Sequence, residues 1–318
     1  CDGCEAFYLE KDLIEGKCPY HKKEPKIIKE ENYFFRLTKY SDKVLEHIQK
    51  NPDFILPKSR RNEVISFIKE GLKDTSISRP NVEWGILLPI DDKHHFWVWF
   101  DALVNYISGA EKYWPAELHL LAKDILRFHG ILWIAMLMSA EYKLPKTLFI
   151  HGFLTINGQK MGKSLGNAID PLKVAGKYGV DGLRYFLARE IPFGQDGDFS
   201  EESLKNRINN ELANELGNLV NRTLTISKKL KEIKKHPIEL KFDIKKIEAL
   251  MQEYRITEAL NETWRYVQET NKYINQKEPW KLQDKELEIV LYNCLESIRK
   301  VSILLWPFIP ETSERIQS

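Results

Sequence analysis

Apolar and polar positions keep three different rhythms along this chain. The first thirty-odd residues are rich in Cys, Gly, Lys and Glu and show no apolar periodicity, so something other than a core must order them. From Tyr33 the chain gains aromatic and helical character, and residues 61–72 place apolar side chains at helical spacing before the turn-rich SISRPN. Between Trp84 and Leu154 short apolar runs alternate with helical ones. HFWVWF leads into DALVNYISG, ELHLLA leads into DILRFHGILWIAMLMSAE, and TLFIHGFL follows Leu144-Pro145. Strand, helix, strand, helix, strand predicts an α/β domain with a parallel sheet and right-handed crossovers. Ligands gather in the loops beyond the carboxyl ends of such strands, here residues 99–106, 122–129 and 151–167. From about Phe199 the pattern is helical only. Leu212, Leu216, Leu219, Thr223, Ile226 and Leu230 form one stripe, Tyr254 to Ile274 a second helix stopped by Pro279, and Glu286 to Trp306 a third stopped by Pro307. An all-α bundle is thus predicted after the α/β part.

Composition narrows the class without naming a function. The 318 residues carry 48 basic and 46 acidic side chains, a net charge of +2, and 43% hydrophobic residues, which excludes a polybasic tail protein or a disordered chain. The longest apolar run, about ten residues at Ile131–Ala140, falls short of the ~18 that a membrane span needs, so no membrane association is expected. Four cysteines at this length exclude a disulfide scaffold and fit a cytoplasmic location. The lysine-dense stretch Ser227 to Lys246 reads as a solvated connection between helices.

Three groups of residues carry candidate chemistry. Cys1-x2-Cys4-x13-Cys18-x2-His21 has the spacing of two knuckles that clasp a tetrahedral ion. Three thiolates and an imidazole suit structural Zn2+, and the bland alternative is reduced cysteines near a frayed end. Cys294 sits in an apolar helical pattern and is expected in the core. Lys160-Met161-Gly162-Lys163-Ser164 follows the Asn157-Gly158 turn, making a cationic loop suited to phosphates. It is not a Walker A loop, because three residues rather than four separate Gly158 from Gly162. Asn214, Asn218 and Arg222 recur at four-residue intervals on a polar helix flank, and Trp280 follows the Pro279 stop; a solvated face and a helix plug are the bland readings.

HGFLTINGQKMGKSLGN resembles the KMSKS region of class I aminoacyl-tRNA synthetases, and the surrounding sequence is similar to the methionyl-tRNA synthetase family. NYFFRLTKY, NEVISFIKEGLKDTSISRP, VWFDALVNYISG, KDILRFH, NELANELGNLVNR and KEPW resemble that family's segments in its order, over essentially the whole chain. The resemblance implies the second half of a Rossmann-like catalytic domain with a zinc-knuckle insertion, followed by an anticodon-binding bundle. Its implied divisions are a zinc knuckle at 1–32, the rest of the connective insertion at 33–80, the catalytic half at 81–155, the KMSKS-type loop and linker at 156–199, and the bundle at 200–318. It further implies that Lys160 and Lys163 are catalytic, with Lys163 stabilising the charge that builds on pyrophosphate. Asp124, Met161, Lys163 and Ser164 would hold ATP, which enters with Mg2+. Trp99, Ala102, Leu103, Tyr106, Phe128, His129 and Trp133 would form the methionine pocket, and Asn214, Asn218, Arg222 and Trp280 would read the anticodon of tRNA(Met). Cys1, Cys4, Cys18 and His21 would bind zinc. Gly162 stands where the family has serine, which is expected to loosen the loop, and Ala122 stands where it has glycine. The family's HIGH motif is absent from these residues, so the chain is expected to be the C-terminal part of a methionine-tRNA ligase, inactive alone, with any homodimer formed through a module beyond Ser318. Rival readings are a valyl, isoleucyl, leucyl or cysteinyl enzyme, or a non-catalytic tRNA-binding protein on a synthetase scaffold.

Overall fold

A computed structural model describes residues 1, 13–26, 31–80, 82–192 and 194–318. The chain divides into two compact units, Cys1–His151 and Gly152–Ser318.

The first unit is built on a three-stranded parallel sheet in the order Ile55–Leu56, Thr147–His151, Leu118–Ala122. Leu148 and Ile150 point into a core shared with Leu121, Ile131, Trp133, Ile134 and Leu137. Two of the three strands are those the sequence predicts. HFWVWF is not the third. Its strand is Asp91–Phe96, which pairs antiparallel with Ser78–Arg79 and Leu87–Leu88 in a separate sheet. The DDKH stretch ahead of it is polar on one face, which suits a half-solvated antiparallel strand rather than a doubly buried parallel one. The third parallel strand comes instead from Ile55–Leu56, within the stretch read from sequence as insertion.

Trp97 leaves the small sheet in an extended conformation and the Val98–Ser108 helix begins at once. After the Leu118–Ala122 strand, a 3-10 turn at Lys123–Ile125 leads into wide π-type turns at Phe128–Leu132, which continue as the Trp133–Ser139 helix. Such widened turns concentrate at functional sites because the extra residue re-aims the neighbouring side chains.

In the second unit a hairpin, Leu154–Ile156 with Gln159–Lys160, is joined in parallel by Gly197–Asp198. Asn157 and Gly158 make its turn, both at positive φ (52° and 73°), the conformation that Asn-Gly favours. Gly152 enters the hairpin against Gln195; a Cβ there would lie 1.9 Å from the Gln195 carbonyl oxygen, so only glycine fits. The rest is helical. Asp170 caps the Pro171–Tyr178 helix through the Leu172 amide, and Ser200 caps the helix that starts at Glu201 through the Ser203 amide. That helix passes through π-type turns at Arg207–Gly217 into Asn218–Ser227. The Ile256–Lys277 and Asp284–Leu305 helices pack on it, with Leu216, Leu219, Leu260, Trp264, Val267, Ile274, Val290 and Cys294 buried between them. The predicted stripe holds from Leu212 through Leu216, Leu219 and Thr223 to Ile226, whereas Leu230 lies beyond the helix end at Ser227, and Cys294 is in the core as expected. Glu211 ties the Val180–Glu190 helix to this bundle: it meets Arg189 at 3.2 Å and Arg207 at 2.6 Å and accepts the Tyr185 hydroxyl. No helix among the described residues is long and apolar enough to cross a membrane.

Candidate functional site

Five of the seven expected methionine-pocket residues converge on one aromatic cluster in the first unit. Trp99 and Tyr106 come from the Val98–Ser108 helix, and Phe128, His129 and Trp133 from the widened turns after the parallel strand. Trp99 stacks on Phe128 with centroids 4.3 Å apart, and its edge approaches His129. Tyr106 Oη lies 2.8 Å from His129 Nε2, while His129 Nδ1 lies 3.0 Å from the Ile125 carbonyl oxygen. A carbonyl only accepts, so Nδ1 carries the proton and Nε2 accepts from the tyrosine hydroxyl. Leu103, His129 and Trp133 are fully buried and Trp99, Tyr106 and Phe128 half-buried, whereas Ala102 and Asp124 are exposed.

His119 and Trp114 join this cluster, and sequence reasoning missed both. The His119 ring meets Tyr106 edge-on at 4.4 Å, and Trp114 meets Trp133 at 5.7 Å. Both look unremarkable in sequence, one inside a strand and the other before Pro115. A cavity of about 470 Å³ lined by Tyr106, Tyr113, Trp114, His119 and Leu121 opens beside them; of the expected pocket residues only Tyr106 reaches it. His119 is 5% exposed and its Nε2 finds no hydrogen-bond partner among the described residues.

Burial sets the charge of this cluster. Desolvation, and secondarily the neighbouring His129, push the His119 pKa down to about 4. Burial also lowers His129, opposed by its bond to the Ile125 carbonyl, and raises Tyr106. All three are neutral at pH 7, leaving an apolar wall with one shared O–H. An unfolded histidine titrates near 6.5, so between that pH and about 4 the unfolded chain binds the proton that folded His119 refuses. Stability should therefore be full above pH 6.5 and fall as pH drops towards 4, by up to ~3 kcal/mol from this residue. His119→Gln should flatten that fall, seen as a smaller difference between urea midpoints at pH 7 and pH 5; an unaltered difference would remove His119 as the cause.

The lysine-bearing turn belongs to the second unit. Lys160 ends the hairpin with its Nζ 4.0 Å from the Phe153 ring centroid. Met161 packs on a small core of Val174, Phe186, Phe199 and Leu204. Lys163 is exposed on a short turn closed by Gly166 at φ 68°. Gly162 has φ −167° and ψ 145°, extended backbone open to any residue, and its amide donates to Asn167. The glycine is thus not needed for the turn's conformation. The side chain of Ser164 lies outside the described set.

On the bundle, Asn214 and Asn218 are exposed along one helix flank and Arg222 half-buried below them. The Arg222 guanidinium lies 5.7 Å from the Trp280 ring centroid and donates to Asn275 Oδ1 at 2.7 Å. Trp280 is 43% exposed, so one ring surface is open to solvent. Asn214 also lines a groove with Gln268, Asn271, Lys272 and Asn275, residues the sequence reading passed over because they lie on a different helix.

Near the start of the chain, Cys1 Sγ, Cys18 Sγ and a ring nitrogen of His21 lie within 4.8 Å of one another; Cys4 lies outside the described residues. Cys18 Sγ is 3.8 Å from His21 Nδ1 and accepts the His21 amide at 3.4 Å. Ligands bound tetrahedrally to zinc at ~2.3 Å for sulfur stand about 3.8 Å apart, so the donor set fits Zn2+. The amide bond to sulfur favours the thiolate that a metal requires.

A protein-family model described as tRNA synthetases class I (M) matches residues 1–224. A methionine-tRNA ligase of Caldanaerobacter subterraneus is 46% identical over 99% of this chain and 54% of its own length. The corresponding ligase of Thermotoga maritima is 44% identical over 99% of this chain and 55% of its own. Among solved structures, Mycobacterium tuberculosis methionyl-tRNA synthetase bound by methionyl-adenylate superposes with a TM-score of 0.88 at 38% identity, covering 98% of this chain and 68% of that one. The chain spans about half the length of these curated relatives.

Proposed function

Because the chain belongs to the methionyl-tRNA synthetase family of class I, we propose that it is part of a methionine-tRNA ligase. The observation that carries this reading is the likeness, over nearly the whole chain, to a synthetase that holds methionyl-adenylate. In the reaction the methionine carboxylate attacks the α-phosphorus of Mg-ATP, the bond to pyrophosphate breaks, and methionyl adenylate forms. The terminal hydroxyl of tRNA(Met) then attacks the adenylate carbonyl and AMP leaves.

The residues fit those steps chemically. The neutral cluster of Trp99, Tyr106, Phe128, His129 and Trp133 suits a polarizable thioether, and the hydroxyl shared by Tyr106 and His129 supplies a weak polar contact. Leu103 packs in the core beneath this cluster, and Ala102 is the exposed position next to it in sequence. On the second unit's turn Lys163 would stabilise the pyrophosphate charge, with Lys160, Met161 and Ser164 of the same segment offering the nucleotide contacts. Trp280 offers a stacking platform for an unpaired base, with Arg222, Asn214 and Asn218 to bond base edges. Cys1, Cys4, Cys18 and His21 would hold zinc, whose role there is to order the segment. The protein would work in the cytoplasm.

Two measurements test the proposal. The full-length enzyme should catalyse methionine-dependent exchange of pyrophosphate into ATP while the 318-residue chain alone does not; exchange driven by another amino acid would replace the substrate, and none at all would favour a tRNA-binding protein. Trp280→Ala should weaken tRNA(Met) binding by ~1–3 kcal/mol, the usual worth of one base stacked on an aromatic ring. Unchanged affinity in a filter-binding titration would remove Trp280 from the interface.

A further inference from the structure

We propose that Asn167 is a positioning residue that holds the two lysines of the 160–167 turn in register by stapling the turn with a single side chain. The inference rests on the reading of Lys160 and Lys163 as ATP-handling groups. Asn167 Oδ1 accepts from the Gly162 amide at 2.9 Å, and its Nδ2 donates to the Lys160 carbonyl at 3.0 Å. One amide therefore grips the backbone on both sides of Met161. Residues 162–166 otherwise have two turn bonds, from the Leu165 amide to the Gly162 carbonyl at 3.1 Å and from the Gly166 amide to the Lys163 carbonyl at 3.1 Å.

The chemistry of the staple is specific. The two backbone groups it meets are a donor and an acceptor, and an asparagine presents one of each from a planar group. An aspartate of the same shape would keep the Gly162 bond but set a second oxygen against the Lys160 carbonyl. The hairpin below is fixed separately: Asp198 accepts the Gly158 amide at 2.9 Å and the Thr155 hydroxyl at 2.6 Å, and Phe153 donates its amide to Asp196 at 2.8 Å. Met161 is anchored in its own small core. Loss of the staple should thus release the segment that carries Lys163 while the hairpin that carries Lys160 stays in place. The extended backbone at Gly162 is open to any residue, so the turn's conformation does not depend on glycine there.

Two readouts separate positioning from folding. In the full-length enzyme, Asn167→Ala should lower kcat for methionine-dependent pyrophosphate exchange about tenfold with the KM for methionine unchanged, and Asn167→Asp should lower it in the same direction. In the 318-residue chain, tryptic cleavage after Lys163 should quicken about tenfold in Asn167→Ala, with an unaltered thermal midpoint. Wild-type kcat and wild-type cleavage in Asn167→Ala would overturn the staple, as would a kcat loss matched by a lowered midpoint. If the wild-type enzyme shows no exchange, the ligase reading fails while the cleavage rates still decide whether the staple exists.

Discussion

On the proposed ligase reading, Lys163→Ala in the full-length enzyme should lower kcat for methionyl adenylate formation by about 10²- to 10³-fold and leave the KM for methionine nearly unchanged. The magnitude is that of removing one preorganised group aimed at charge that develops only in the transition state. The Lys163 side chain is exposed on a short turn bounded by Gly162 and Gly166, which suits a cation meant to meet an incoming phosphate. Lys160 differs. Its Nζ rests 4.0 Å from the Phe153 ring, so part of its charge is already engaged, and Lys160→Ala should cost less. Lys163→Arg keeps the charge but spreads it over a planar fork on a longer stem, so it should recover only a fraction of the rate. Pyrophosphate exchange measured at saturating methionine and ATP checks all three. A Lys163→Ala enzyme within a few-fold of wild type would exclude the lysine from the chemical step.

The sequence made some of this architecture legible and concealed the rest for identifiable reasons. Leu118–Ala122 and Thr147–His151 read as parallel strands because each is a short, mostly apolar run and a helix separates them. Ile55–Leu56 could not be read, since two residues before a proline carry no period. HFWVWF misled because its aromatic run continues past the strand; Trp97 ends the sheet and the next residues turn into helix. The bundle was plain from its leucine stripe, although the π-type turns at Arg207–Gly217 were not, because a few apolar positions in so short a stretch do not tell i→i+4 from i→i+5 bonding. The proposed pocket residues, such as Trp99 and His129, were reachable only through family motifs. What those motifs leave out is the partner chemistry. His119 on a strand and Asn167 beyond the lysines become informative only when tertiary contacts bring them to Tyr106 and to the Gly162 amide.

Removing zinc should abolish order in the first segment, the second large effect expected. Between residues 13 and 26 Cys18 is the only fully buried side chain, so no apolar core holds this stretch. Its backbone makes two tight turns instead. Ile14 and Lys17 exchange bonds across Glu15 and Gly16, both at positive φ, and the Cys18 amide and carbonyl pair with Lys23 and Lys22. Turns of this size do not persist alone in water; a Zn2+ ion bound by thiolates and imidazole contributes ~10–16 kcal/mol in comparable small knuckles, enough to order them. The intact chain should hold one zinc. Chelation, or Cys18→Ser, should strip it and expose the lysines at 17, 22 and 23 to trypsin, while the helical unit keeps its thermal transition. Acid should release the metal in the same way, because protons compete for the thiolates and the imidazole. Cys294→Ser is the control, since that thiol lies in the bundle core, where burial holds its pKa up at about 12 and no metal is expected. Substoichiometric zinc together with undiminished protease resistance in Cys18→Ser would mean that the segment is ordered by something other than a metal.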